Sequence, residues 1–97
     1  MPVQFERRVV LVNDVLMREL EQESVILNLN SECYFGLDEI GTRMLNVLIG
    51  SESIEHAYEA LLAEYEVEPQ QLRGDLGTLV EKLLERGIVQ IENPQAG

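Results

Sequence analysis

Ser24-Val25-Ile26-Leu27-Asn28-Leu29-Asn30-Ser31-Glu32-Cys33-Tyr34-Phe35-Gly36-Leu37-Asp38 is the stretch on which the fold of this chain turns. Successive side chains of an extended backbone point to opposite faces. Residues 24–29 therefore read as a strand with Val25, Leu27 and Leu29 on one face and Ile26 and Asn28 on the other. Asn30-Ser31-Glu32 has the composition of a turn. Residues 33–37 alternate again, with Cys33, Phe35 and Leu37 opposite Tyr34 and Gly36. Asp38 then changes the period: its carboxylate can accept from the free amides of a helix's first turn, and the apolar residues beyond it recur at helical spacing.

Working toward the N-terminus, Glu21-Gln22-Glu23 reads as a hairpin loop and residues 15–20 as the strand before it. Two tight loops joining three strands give an antiparallel meander. Further upstream, Val9-Val10-Leu11-Val12 is a short apolar run stopped by the turn signal Asn13-Asp14. Downstream, Leu37, Ile40, Met44, Leu45 and Leu48 form one apolar stripe, and Gly50 is expected to close that helix in the left-handed conformation. Ser53 caps a second helix with the stripe Ile54, Ala57, Tyr58, Leu61, Leu62 and Tyr65. Pro69 suits the first turn of a third. Leu72, Leu76, Leu79, Val80, Leu83 and Leu84 share its face until Gly87, and Ile88-Val89-Gln90-Ile91 can add a short final strand. The expectation is an α+β domain: a three-stranded antiparallel sheet followed by three helices, winged helix-turn-helix-like in outline. Residues 1–92 are expected to form a single domain, with residues 93–97 as a flexible tail.

The whole chain, 97 residues at 45% hydrophobic, is enough for one core. Eighteen acids against seven bases give a net charge of −11, which repels phosphate backbones and anionic lipid surfaces. The third helix, the one a winged-helix protein would place in a DNA groove, balances Arg73, Lys82 and Arg86 with Asp75, Glu81 and Glu85. That is no footprint for nucleic acid. Cys33 stands alone, so no internal disulfide is available. With no signal-peptide pattern at the start and no apolar run of about 20 residues, the cytoplasm is the expected location.

Chemistry-bearing residues are sparse. His56, the one histidine, is distant in sequence from Cys33, so the pair reads as a solvated side chain and a structural thiol, not as nucleophile and base or a metal site. Glu52, Glu55, Glu59, Glu64, Glu66 and Glu68 read as a solvating surface. Gly74 and Gly77 lie inside the third helix rather than before it, so no phosphate loop is present. The expectation is a protein that is not an enzyme and carries no metal or cofactor.

The third strand of the meander carries more information. Residues 33–37 are apolar and uncharged, and an edge strand presents unpaired N–H and C=O groups that proteins protect or use. Either the helices or another strand cover this edge, or a guest peptide adds to it as an extra strand. The third helix is the natural second wall of such a slot. Asp75, bordering its apolar stripe, has two readings: a partner for a basic or polar group on a guest, or a local hydrogen-bonding residue.

These residues resemble a known family. The strand-turn-strand-helix run through Cys33-Tyr34-Phe35-Gly36-Leu37-Asp38-Glu39-Ile40-Gly41 is similar to the signature of PqqD-like proteins. So is Tyr65-Glu66-Val67-Glu68-Pro69, followed by Asp75, Leu76, Leu83, Leu84 and Gly87-Ile88-Val89. The resemblance runs from about Val15 to Ile91. It implies a recognition element for ribosomally synthesised, post-translationally modified peptides: a chaperone that holds a precursor's leader segment and presents it to a separate enzyme. Carried over by position, the leader would pair with Cys33, Tyr34, Phe35, Gly36 and Leu37 and be walled by Leu72, Asp75, Leu76, Leu79 and Leu83. The implied partner is a radical S-adenosylmethionine enzyme, as in pyrroloquinoline quinone synthesis, or a leader peptidase, as in lasso-peptide pathways. Two departures stand out: Met44 and Leu45 occupy the region where many members carry an aromatic residue, and the pair Gly74 and Gly77 is unusual for this helix. The remaining alternative is a structural interaction domain or a homo-oligomer formed through the exposed edges.

Overall fold

The computed structural model describes residues 3–92. Four strands come first, β1 (Arg8–Leu11), β2 (Val15–Leu20), β3 (Glu23–Asn28) and β4 (Cys33–Leu37). Three helices follow, α1 (Glu39–Ile49), α2 (Ile54–Glu64) and α3 (Pro69–Glu85), and β5 (Val89–Glu92) closes the order. The expected tail at residues 93–97 lies outside the described residues.

The meander predicted from the alternation is present as β2-β3-β4, antiparallel throughout. Its turns use residues in the left-handed region, Glu21 at φ 62° and Glu32 at φ 60°. The sequence reading stopped short of a further strand: the apolar run at Val9 to Leu11 pairs as β1 with β5 in a separate two-stranded sheet, with Val9 opposite Ile91 and Leu11 opposite Val89. The partner lies at the far end of the chain, where no local pattern can announce it.

The inner face of β3 is its more polar one. Ser24, Ile26 and Asn28 are buried, whereas Val25 is exposed and Leu27 half-buried. The buried polar side chains of β3 are satisfied. The Ser24 and Thr42 hydroxyls are 2.8 Å apart, and the Thr42 hydroxyl donates to the Leu37 carbonyl at 3.4 Å. Asn28 accepts from the Asn30 and Ser31 amides and donates to the Gly87 carbonyl at 3.1 Å. One side chain thus shapes the β3–β4 turn and ties it to the end of α3.

The caps fall where the sequence places them. The Gly41 amide donates to Asp38 at 2.8 Å, the His56 amide donates to Ser53 at 3.1 Å, and Pro69 opens α3. Gly50 departs from expectation: its φ of −83° is right-handed, and its amide bonds back to the Asn46 and Leu48 carbonyls, so α1 ends in a tightened turn. The left-handed cap is at Gly87 (φ 70°). There the Ile88 amide donates to the Leu83 carbonyl and the Gly87 amide to the Leu84 carbonyl, a Schellman arrangement.

The helices pack their stripes into one core with β1, β3 and β5, centred on Ile26, Leu45, Leu48, Ile54, Leu61, Leu76, Val80 and Leu83. The segment before β1 straps across α2. The Ile54 and Glu55 amides, orphans of a helix start, donate to the Arg7 and Phe5 carbonyls at 2.8 Å. Phe5 then lies under the Arg73 guanidinium, 4.0 Å from the ring centroid. No helix among the described residues is long and apolar enough to cross a membrane.

Candidate functional site

β4 pairs with β3 through five opposed residues, Asn28 with Cys33 to Ser24 with Leu37, and no strand among the described residues meets its other edge. The alternation predicted for it holds. Leu37 is buried and Phe35 half-buried on the helix side, while Tyr34, 70% exposed, and Gly36 face outward. A Cβ built on Gly36 would meet nothing within 4 Å, so the outer side is open beside it.

α3 runs antiparallel to β4. Its last turn lies by the N-terminal half of the strand, since Asn28, opposite Cys33, bonds to Gly87, and the Arg86 guanidinium lies 5.5 Å from the centroid of the Phe35 ring. Its first turns face α1, the helix that follows the strand, across a cavity of about 390 Å³. Ile40, Met44, Val67 and Leu72 supply its apolar wall; Glu66, Glu68 and Asp75 supply its acids. That volume is within the range of pockets that take a small ligand or an anchoring side chain. Tyr65 also lines it, and burial pushes its phenol up.

The residues expected to wall the slot fall into two groups. Leu76 and Leu83 have no exposed surface and Leu72 has 3%; these form the core beneath the slot, with only Leu72 reaching the cavity. Asp75 is exposed and Leu79 half-buried. Asp75, Leu79, Lys82 and Arg86 recur at i, i+4, i+7 and i+11, one flank of the helix, which joins the cavity at one end to the Phe35 ring at the other. The sequence reading selected the apolar centre of the stripe together with Asp75 and Leu79, and did not select Ile40, Met44 and Val67, which line the cavity. Val67 did carry a signal, a lone apolar residue between Glu66 and Glu68 just before the helix. Ile40 looked like core, yet it is 52% exposed at the cavity mouth.

Cys33 is exposed, its thiol 3.7 Å from the Ser31 carbonyl. His56 is exposed on α2, 3.7 Å from Glu52. The structure does not bring the two together, and no group of three metal-ligating side chains gathers among the described residues.

A family model described as coenzyme PQQ synthesis protein D (PqqD) matches residues 23–89, from the start of β3 to the start of β5. The chain belongs to the PqqD family. Two solved structures are similar to it over nearly their whole length. One is TbiB1 in complex with the TbiA(beta) leader peptide, at 26% identity and a TM-score of 0.76, covering 84% of this chain and 94% of that one. The other is lasso peptide synthetase B1 complexed with the leader peptide, at 25% identity and a TM-score of 0.73, covering 88% and 98%. Among curated proteins none matches the sequence. The PqqD-family frame thus covers β3, β4 and all three helices, the elements that build the slot.

Proposed function

We propose that this PqqD-family protein binds the leader segment of a ribosomally made precursor peptide as an additional strand on β4 and presents it to a separate modifying enzyme or leader peptidase. The observation that carries the reading is the unpaired edge of β4, whose chain leads three residues beyond Leu37 to Ile40 at the mouth of an apolar cavity. Main-chain hydrogen bonds to the edge supply affinity without regard to sequence, and the cavity supplies selectivity by accepting one large apolar side chain. The similarity to two leader-bound B1 proteins supports the same reading. The protein's contribution is then to hold and deliver: tethering the leader raises the local concentration of the segment to be modified.

Calorimetric titration with synthetic leaders of the precursors encoded beside the gene tests it. The expected dissociation constant is micromolar to sub-micromolar, about −8 to −9 kcal/mol. N-methylation of alternate leader amides should abolish binding while leaving the side chains intact. Absence of binding to every such leader, with or without the partner enzyme, would overturn the proposal.

A second reading has its own observation. The outer face of β2-β3-β4 exposes Leu16, Leu20, Val25 and Tyr34, an apolar surface suited to a protein contact. Self-association through this face predicts a sedimentation coefficient that rises with concentration and responds to Tyr34→Lys but not to an added leader.

A further inference from the structure

The slot is charged differently at its two ends. At the cavity end stand Asp75, Glu66 and Glu68, with no base among the lining residues. At the other end stand Lys82 and Arg86, the latter over Phe35. Their neighbours Glu81 and Glu85 are each displaced by about 100° round the helix, toward its back. The other two arginines on the helices are already committed: Arg43 is paired with Glu64 at 2.7 Å and Arg73 with Glu55 at 2.9 Å. Lys82, Arg86 and Asp75 form no ion pair among the described residues. A guest in the slot therefore meets unneutralised charge of opposite sign at either end.

Resting on the leader-binding reading, we propose that the groove selects its guest by the order and spacing of two charges. A basic side chain sits over the Asp75 end, and an acidic side chain at the Arg86 end lies four or six residues later in the guest. The order follows from direction. β4 runs from the Arg86 end to the cavity end, and antiparallel pairing, the stronger kind per residue and the only kind in this sheet, makes the guest run the opposite way. Its N-terminal half thus lies at the acidic end. The spacing follows from geometry. Asp75 and Arg86 are separated by eleven helical steps, about 16 Å along the axis at ~1.5 Å each, the length of about five strand residues. Both guest side chains must point into the slot, and strand side chains alternate, so the separation is even: four or six.

Selection of a phage-displayed library of random twelve-residue peptides on the intact protein tests this. Enriched peptides should carry Lys or Arg four or six positions before Asp or Glu, around an apolar residue. A synthetic copy of the best binder with the two charges exchanged should bind about tenfold more weakly at low salt, a gap that shrinks as salt rises. The double variant Asp75→Lys, Arg86→Glu, which alters only surface side chains, should select the opposite order. Enriched binders with no preferred order, or with the opposite order on the unmutated protein, would overturn the charge rule and leave leader binding standing. A library that yields no binder would overturn both.

Discussion

Thr42 carries a hydroxyl into the core and there holds the edge strand in place. The Ser24 hydroxyl donates to Thr42, and Thr42 donates to the Leu37 carbonyl, so one short chain of hydrogen bonds fixes β3 and the last residue of β4 against α1. Thr42→Val preserves shape and strands the Ser24 hydroxyl, which should cost about 1–3 kcal/mol by urea denaturation; adding Ser24→Ala should recover part of that loss. If the single variant is as stable as the parent, the pair is ornamental. Gly74 is a contrasting case. A Cβ there would meet nothing within 4 Å, so Gly74→Ala should stabilise the helix by about 0.5–1 kcal/mol; nothing in the structure explains the glycine. At Gly77 a Cβ would lie 3.8 Å from the Phe5 ring, an ordinary contact, so the approach of the N-terminal strap accompanies that glycine without demanding it.

Among elements, α3 separates what the sequence disclosed from what it concealed. Its core stripe was legible because Leu72, Leu76, Val80 and Leu83 repeat at helical spacing, and all four are buried. Its outer flank was legible only in part: Asp75 and Leu79 stood out at the border of the stripe, whereas Lys82 and Arg86 are ordinary surface residues until another element comes alongside. The two flanks should respond differently to truncation. Leu76→Ala should cost about 2–5 kcal/mol of stability through cavity formation. Leu79→Ala, at a half-buried position, should cost less stability and weaken leader binding by about 1–2 kcal/mol of lost apolar burial. The meander was legible for a complementary reason, since alternation and turns are local, whereas the pairing of β1 with β5 depends on contact between opposite ends of the chain. Helix docking has an acid-sensitive component. Arg43 holds Glu64, and Arg73 holds Glu55, below the ordinary carboxylate value of 4.5, chiefly by hydrogen bonding. Fewer protons bound in the folded state means that this contribution is complete above pH 4.5 and is lost as the pH falls through the lowered values. The melting-temperature gap between the parent and Glu55→Gln, Glu64→Gln should therefore be constant at neutral pH and close in stronger acid. A gap that persists there contradicts the assignment.

At the scale of the whole molecule, the proposed function puts stability and recognition on opposite flanks of α3. The flank with Arg73 and Gly77 receives Phe5, whose ring lies under the Arg73 guanidinium and edge-on to Tyr58 with centroids 6.3 Å apart, while the carbonyls of Phe5 and Arg7 cap α2. The other flank faces the slot. Phe5→Ala removes an aromatic contact and the surface it covers but touches no residue lining the cavity, so it should lower stability by about 1–3 kcal/mol. At a temperature where both proteins remain folded, it should leave the leader dissociation constant within about twofold of the parent, since distant sites without shared partners act additively. The measurement pairs urea denaturation with titration of the same leader, using Leu79→Ala as the reciprocal variant. Were Phe5→Ala to weaken binding as much as Leu79→Ala does, the strap would be setting the position of α3 against β4. The slot would then depend on the N-terminal segment for its width, and recognition could not be confined to one side of the helix.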